Sequence, residues 1–194
     1  MSNWTPVSTL PYNFSNGSAV VYHNEIHILV GEGNENKHYA WDGTQWVSKS
    51  TLPYSFKNGQ AVVYNDKIYI LGGTDHEQDF RAWDGTQWYS FYSNMIPYGF
   101  RNGCAVVYDN KIHIMGTSST NTGYKYHHTW DDTQWRYVDA MPYSLSMGES
   151  VVHDNKIHCI NGAYNHFSWN GSTWSNESTA PQMQYGAAVE YKGK

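Results

Sequence analysis

The sequence predicts an all-β protein in which one four-stranded antiparallel unit is repeated four times. The segments PYNFSNGSAVVY, PYSFKNGQAVVY and PYGFRNGCAVVY align without gaps, and PYSLSMGESVVH follows as a fourth copy. Aromatic residues make up 16% of the chain and charged residues 15%, a balance that favours short strands over charged helices. One such unit cannot bury both faces of its sheet, so we expect neighbouring units to pack face to face. The glycines that align are Gly17, Gly59, Gly103, Gly148 and Gly186.

Each copy opens with two runs of strand type, here named strands A and B. In the second copy these are residues 61–64 and 67–71, with Asn65 and Asp66 between them. Asn and Asp tolerate the positive φ of a tight turn, so the two runs are predicted to form a hairpin. The corresponding turn pairs are His23 with Asn24, Asp109 with Asn110, and Asp154 with Asn155.

Tryptophans mark the other two strands, C and D. Strand C ends and strand D begins at a tryptophan, and the intervening Asp-Gly, Asp-Asp or Asn-Gly pairs suit a second tight hairpin. Each unit is therefore predicted to be a meander with the strand order A, B, C and D. The tryptophans that end strand C are Trp41, Trp83, Trp130 and Trp169, and those that begin strand D are Trp46, Trp88, Trp135 and Trp174.

A pair of glycines, Gly72 and Gly73, closes strand B of the second copy, and the aromatic Trp83 and Trp88 follow in strands C and D. In this pattern the copy resembles the kelch repeat family, although the other three copies carry one glycine at that place. The resemblance covers nearly the whole chain and implies a kelch-like β-propeller of four-stranded blades, with residues 1–194 as a single domain. The expected repeats are approximately residues 11–52, 53–96, 97–141 and 142–180, with a partial repeat at 181–194.

The two ends of the chain leave the closure of the ring open. Residues 3–10 match a leading strand D, and residues 185–189 match the trailing strand A of a fifth unit. Three outcomes are compatible with this: a four-bladed ring with the extra strands as a clasp, an arc completed by another copy, or a natural or engineered fragment. We favour a ring or an assembly, because an isolated arc would leave apolar sheet faces and edges exposed.

The charge of the chain argues against a nucleic acid partner, and the absence of long apolar runs from the sequence argues against membrane insertion. The net charge is −5 and the 12 Lys and Arg residues are scattered, so we expect no nucleic acid. No run approaches the roughly 20 apolar residues of a membrane helix, and the N-terminal residues lack a signal-peptide pattern. We expect no membrane insertion, and a virion-associated or otherwise cytoplasmic location. Cys104 and Cys159 occupy unrelated repeat positions, which predicts free thiols.

The ten histidines do not form a recognisable metal motif. His27, His113 and His158 share one position in strand B, where we expect ordinary strand residues in preference to ligands. No HExxH, CxxC or zinc-type spacing occurs, and the acidic loop at 74–79 is expected to be solvated rather than bound to calcium. We therefore expect no catalytic residues, no metal and no cofactor.

The candidate binding residues lie in the B to C loops and the D to A connections, which are expected on the same face. The loops vary, whereas the connections repeat aromatic residues and an asparagine. These aromatics either fill gaps between blades, which is the favoured interpretation, or form a platform for sugars whose hydroxyls meet the amides. The candidate ligand-binding residues are Tyr12, Phe14, Asn16, Tyr54, Phe56, Asn58, Tyr98, Phe100, Asn102 and Tyr143, with His76 and Tyr124 from the loops.

The strings AVVYNDKIYILGG and WDGTQW carry a further resemblance. They are similar to kelch-like repeats in structural and tail-associated proteins of bacteriophages that infect Gram-positive bacteria, which implies recognition of a host surface. The leading hypothesis is a non-catalytic module that binds carbohydrate or another host-surface ligand, with homo-oligomers through the incomplete terminal strands as a further possibility. The alternatives are a protein interaction scaffold, a self-assembling propeller fragment and, least favoured, a sugar-modifying enzyme.

Overall fold

Sixteen β-strands make up the described part of the chain, which contains no helix. The computed structural model describes residues 6–30, 36–118, 121–145, 147–161, 163–180 and 188–189, without the side chains of residues 117, 118 and 121–124. The strands are β1 (Ser18–Tyr22), β2 (Glu25–Val30), β3 (Lys37–Trp41), β4 (Trp46–Ser48), β5 (Gln60–Tyr64), β6 (Lys67–Leu71), β7 (Phe80–Trp83), β8 (Trp88–Ser90), β9 (Cys104–Tyr108), β10 (Lys111–Ser118), β11 (Asn121–Trp130), β12 (Trp135–Ala140), β13 (Glu149–His153), β14 (Lys156–Ile160), β15 (His166–Trp169) and β16 (Trp174–Asn176).

Each set of four consecutive strands forms one antiparallel sheet, and the order of strands in space follows the order in sequence. We call the sheets blades 1 to 4. Their four strands are the predicted strands A to D, so the all-β fold and the four-stranded meander are confirmed. Among the residues described, none belongs to a helix that could cross a membrane.

The hairpin turns form at the predicted Asn, Asp and Gly residues. In blade 2, Asn65 and Asp66 have φ angles of 44° and 57°. At the turn from strand C to strand D, Asp84 Oδ1 accepts a hydrogen bond from Thr86 N–H at 2.8 Å, and Gly85 has a φ of 100°. These local bonds stabilise the tight turns. The acceptors at the same place in the other blades are Asp42, Asp131 and Asn170.

A ring from strand C of each of the first three blades packs against the tryptophan pair of the following blade. Between blades 2 and 3, Phe80 lies edge-on to Trp130 and Trp135, with ring centroids 5.0 and 5.2 Å apart. Three interfaces of this kind join the four blades into the predicted β-propeller fold. At the other two interfaces the rings are His38 with Trp83 and Trp88, and His127 with Trp169 and Trp174.

A tyrosine at the end of strand A also ties each of these blades to the next one. Its hydroxyl donates a hydrogen bond to a carbonyl oxygen in the A to B turn of the following blade. The A to B turns of successive blades therefore keep the same relative position. The bonds run from Tyr22 to Asp66 at 3.1 Å, from Tyr64 to Asn110 at 2.9 Å and from Tyr108 to Asn155 at 2.9 Å.

Both cysteines are buried free thiols, as predicted. Cys104 and Cys159 belong to the apolar cluster between blades 3 and 4, where Cys159 Sγ lies 3.7 Å from Met115 Sδ. Burial raises the pKa of the Cys159 thiol, because an apolar surrounding disfavours the thiolate. This thiol is therefore a packing group and a poor nucleophile.

The additional strands predicted at the two ends have different outcomes. Residues 6–10, the described part of the expected leading strand D, form no strand. Residues 185–187 of the expected trailing strand A lie outside the described residues, and residues 188 and 189 are not part of a strand. All strands of the described chain therefore belong to the four blades.

Candidate functional site

A cavity of about 220 Å³ opens where strand A begins in the four blades. The A strands are innermost, because β1 packs against β5, β5 against β9, and β9 against β13. The cavity therefore lies at the propeller axis, and we call it the axial cavity. Apart from glycines, the residues that line it are Asn16, Asn58, Gln60, Asn102, Met147 and Glu149.

The residue before the aligned glycine has a left-handed backbone in every blade. The φ angles are 53° at Asn16, 59° at Asn58, 54° at Asn102 and 55° at Met147. Asparagine enters this region more easily than other side-chain-bearing residues, which explains its recurrence in three of the four copies. The turn directs the chain from the D to A connection into strand A and leaves the side chain at the cavity wall.

The glycine that follows is required because the backbone of strand B comes very close. A Cβ atom on Gly103 would lie 2.6 Å from the Met115 carbonyl oxygen, and one on Gly148 would lie 2.6 Å from the Ile160 carbonyl oxygen. A backbone oxygen cannot move away at low cost, so these positions accept only glycine. The Asn-Gly motif thus places the wall of the axial cavity directly against strand B.

Backbone hydrogen bonds connect the wall residues from blade to blade. Asn58 N–H donates to the Asn16 carbonyl oxygen at 2.8 Å, and Asn102 N–H donates to that of Asn58 at 2.9 Å. Met147 N–H continues the series to the Asn102 carbonyl oxygen at 2.8 Å. The four residues are therefore held at a constant spacing around the axis.

Two amide side chains of the axial cavity are oriented by hydrogen bonds. Gln60 Nε2 donates to the Gly103 carbonyl oxygen at 3.1 Å, and Asn58 Nδ2 donates to Thr74 Oγ1 at 2.9 Å. Both bonds use an amide N–H, so each amide still offers its oxygen as an acceptor. The wall combines donors and acceptors with little formal charge.

Glu149 is the ionisable side chain among the residues that line the axial cavity. Desolvation raises its pKa to about 7, since burial disfavours the charged carboxylate. Around neutral pH the carboxyl group is therefore partly protonated, and it is able to donate as well as accept a hydrogen bond.

Four of the predicted aromatic ligand residues are packed between blades. Tyr54 and Tyr98 are buried, and Phe56 and Phe100 are completely so. The Tyr54 hydroxyl donates to the Gly72 carbonyl oxygen at 3.0 Å, which fixes the ring in the interior. A buried ring has no face free for a sugar, so the platform hypothesis does not hold for these four and they act as packing residues.

The corresponding rings of the first and last connections are more open. Phe14 is 38% exposed and Tyr143 is 37% exposed. The Tyr12 ring is partly buried and lies 5.4 Å from the Tyr39 ring, with Lys37 Nζ 5.3 Å from its centroid. These three rings are outside the wall of the axial cavity and stay candidate ligand residues.

The two predicted loop residues have different outcomes. His76 is held within its own loop, because its Nδ1 lies 2.7 Å from Asp79 Oδ2 and its ring stacks on Tyr54 at 4.5 Å. Arg81 also pairs with Asp79, so this acidic loop contains its own positive partners. The side chain of Tyr124 lies outside the described residues.

The strand B histidines are hydrogen-bonded to histidines of strand C. Burial lowers the pKa of His27 and His113 to about 4 and that of His38 to about 3, so these three rings are neutral at pH 7. Within the described part of the chain, no group of three or more His, Cys, Asp or Glu residues is placed to hold a metal ion. The pairs are His27 with His38 at 2.8 Å, His113 with His127 at 2.8 Å and His158 with His166 at 2.9 Å, and Tyr69 stacks on Phe80 at the same place in blade 2.

Three residues of the axial cavity were not among the predicted ligand residues. Met147 replaces the repeated asparagine, and Gln60 and Glu149 take the first position of strand A. At that position Ser18 and Cys104 are the counterparts, so Glu149 introduces the only charge among the four aligned residues. A change of chemistry at one position of an otherwise constant repeat is the signal that would have identified it.

The sequence matches no protein-family model and no curated protein. Among solved structures, the one described as "Structure of YjhT" superposes with a TM-score of 0.76 and 14% sequence identity. The match covers 92% of this chain and 69% of that chain. The chain has a fold similar to that of YjhT. At this identity the likeness to YjhT concerns the fold alone, so the function is argued from the residues of the axial cavity.

Proposed function

We propose that the chain is a non-catalytic binding module that takes a neutral carbohydrate unit in the axial cavity. The observation that carries the proposal is the repeated amide wall, to which Asn16, Asn58 and Asn102 contribute from three successive blades. Amides both donate to and accept from hydroxyl groups, and a sugar offers such groups on several sides. A series of equivalent polar groups suits a ligand with many equivalent hydroxyls.

The size and charge of the axial cavity support a small neutral ligand. Its volume of about 220 Å³ is below the roughly 300–1,000 Å³ of pockets for drug-sized molecules, which suits one sugar unit. Glu149, with a pKa raised to about 7 by desolvation, adds a carboxyl group able to accept a hydrogen bond from a hydroxyl. The sequence resemblance to phage tail-associated repeats supports the proposal that such a ligand belongs to a host surface and that the module belongs to a virion.

The proposal is tested by titrating the folded chain with glucose, galactose and N-acetylglucosamine, followed by NMR or calorimetry. The double variant Asn16→Gly/Asn102→Gly removes two amides from the wall, and glycine accepts the φ angles of 53° and 54° at these positions. We expect saturable binding of at least one sugar by the parent chain and a loss of at least tenfold in affinity by the variant.

Asn110→Gly is the matched control. Asn110 also has a positive φ, of 52°, but it lies in the A to B turn of blade 3 and not in the axial cavity. Its replacement should leave sugar affinity unchanged. The proposal fails if no sugar binds the folded chain, or if the double variant binds as tightly as the parent.

A protein interaction scaffold is the second candidate, and the B to C loop of blade 2 favours it. His76 N–H donates to the Gly73 carbonyl oxygen at 3.1 Å, and Phe100 N–H donates to that of Glu77 at 2.9 Å. The loop is thus fixed on the blade and carries partly exposed charged side chains. This function would be supported if the folded chain binds none of the sugars but binds a protein through residues 74–79.

A further inference from the structure

The end face of blade 1, opposite its contact with blade 2, is apolar, and in the described part of the chain several of its side chains are exposed. Ile26 in strand β2 is 45% exposed, whereas its counterparts Ile68, Ile112 and Ile157 are all 0% exposed. In blades 2 to 4 this position is buried against the preceding blade. Val21 on the neighbouring strand β1 is 66% exposed. Blade 1 therefore presents to solvent the surface that every later blade buries.

The tryptophan pair of blade 1 forms a groove on this face. Trp41 and Trp46 lie with their ring centroids 5.6 Å apart, and together with Ile26 and Val7 they line an apolar groove of about 220 Å³. The equivalent pairs in blades 2, 3 and 4 each receive a ring from strand C of the blade before. Tryptophan in such a pocket is typical of residues that dominate the energy of an interface.

Blade 4 carries the side chains that would fill this groove. His166 holds the strand C position of His38 and His127, which are buried edge-on to tryptophan pairs, but it is itself only partly buried. Ile160 is also partly buried, although its counterparts in the first three blades are completely buried. The face of blade 4 is thus the missing half of an interface that the chain forms three times internally.

We propose that a second copy of this chain packs its blade 4 against blade 1, so that two copies associate head to tail. The two end faces carry the same repeat positions as the internal interfaces, so the positions that meet would be those that meet within the chain. His153 takes the place of the tyrosine that reaches the A to B turn of the next blade, and in this arrangement it would face Asn24 of the second copy. The contact is formed by sheet faces and does not need the terminal strands.

The number of blades is compatible with a closed ring of two copies. A head-to-tail interface is heterologous, and it either closes as a ring or continues as a filament. Two chains of four blades supply eight blades in all, which lies within the roughly four to eight blades of known propellers. A closed ring leaves neither tryptophan groove exposed.

The first test is the mass of the purified chain by light scattering, from micromolar to submillimolar concentration, without any sugar. We expect twice the single-chain mass of 22.2 kDa at the upper end. The variant Ile26→Glu should remain at the single-chain mass, because it places a charge in the interface while leaving the interior untouched. Tyr92→Glu is the control: Tyr92 is 76% exposed and lies outside the groove, so this variant should still associate.

A cysteine pair distinguishes association from closure within one chain. Asn16 and Met147 occupy the two ends of the axial series of hydrogen bonds, and head-to-tail packing brings Asn16 of one copy beside Met147 of the other. Asn16→Cys/Met147→Cys should therefore give a disulfide between chains under mild oxidation. Asn16→Cys/Asn58→Cys, whose backbones are bonded at 2.8 Å, is the control and should cross-link within one chain.

Three results would overturn the proposal. The first is a single-chain mass at every concentration, and the second is an association that Ile26→Glu does not reduce. The third is an Asn16→Cys/Met147→Cys pair that cross-links within one chain, or that does not cross-link at all although the control pair does. Circular dichroism of each variant shows that its strands are formed. Sugar titrations do not enter the test, so it is independent of the proposed function.

Discussion

His113 Nδ1 lies 2.8 Å from His127 Nε2 on the face of blade 3 that packs against blade 4. His113 Nε2–H donates to the Tyr108 carbonyl oxygen at 3.1 Å, so Nδ1 of the neutral ring accepts the hydrogen bond from His127 Nε2–H. Desolvation lowers the pKa of His113 to about 4 and that of His127 to about 2. The pair is therefore a neutral hydrogen-bonded unit, and an added proton removes its acceptor.

The protein should lose stability as the pH falls from about 6.5 towards 4. In this range a histidine of the unfolded chain binds a proton and the buried His113 and His127 do not, so acid favours unfolding. Each histidine that stays unprotonated in the folded state, but is protonated in the unfolded chain, lowers the free energy of unfolding by about 1.4 kcal/mol per pH unit. Urea unfolding at pH 7.5, 6 and 5 measures the decline.

The double variant His113→Tyr/His127→Phe is the matched control for this decline. It installs the residues that blade 2 already has at the same positions, Tyr69 and Phe80. The variant should fold at pH 7.5 and lose less stability on acidification than the parent. An unchanged pH dependence would show that the pair is not responsible.

Removal of the Phe100 ring should destabilise the fold rather than weaken ligand binding. Phe100 is completely buried, and Phe→Ala in a core costs about 3–5 kcal/mol. Phe14→Ala, at the same repeat position but with 38% of the residue exposed, should cost much less. Chemical denaturation of both variants gives the comparison, and equal costs would contradict the packing role.

Met147→Asn should stabilise the protein by about 1 kcal/mol. A left-handed backbone costs an ordinary residue roughly 1–2 kcal/mol, and asparagine relieves part of this cost. Met147 has a φ of 55° and is 41% exposed, so the change removes little packing. Met95→Asn is the control, because Met95 is 46% exposed and does not have a positive φ. A melting temperature that does not rise for Met147→Asn would contradict the argument.

Glu149→Gln should stabilise the protein most above pH 7. The pKa of Glu149 rises from its ordinary value of 4.5 to about 7 on folding, so the folded state keeps a proton that the unfolded chain has lost. This contribution to stability is present below pH 4.5 and is lost as the pH rises through 7. This pH dependence of stability is opposite in sign to that of the histidines. Melting temperatures of parent and variant are therefore compared at pH 5 and pH 8. A difference that does not grow towards pH 8 would contradict the raised pKa.

The repeated positions made the fold predictable from the sequence. The tight turns at Asn65 and Asp84 depend on local chemistry that recurs in each copy, and so do the tryptophans on either side of the second turn. The contents of the axial cavity were less predictable. Gln60 and Glu149 reach it only because four A strands meet at one axis, and that convergence is a property of the assembled blades.

The burial of the connection rings also depended on the assembled structure. Phe56 and Phe14 hold the same position of the repeated motif, yet Phe56 lies between two blades and Phe14 is partly open to solvent. Their sequence contexts are almost identical, so no local pattern separates them. The number of neighbouring blades decides the difference.

Tyr69 and Phe80 make the contact between blades 2 and 3 indifferent to protons, whereas imidazoles occupy the contacts on either side. Mild acid should therefore weaken the contacts between blades 1 and 2 and between blades 3 and 4, and leave the contact between blades 2 and 3 unchanged. Blades 2 and 3 would then outlast their neighbours as a unit, and their amide hydrogens would be the last to exchange with deuterium. Two aromatic replacements in one repeat thus give a nearly symmetric protein an unequal order of unfolding.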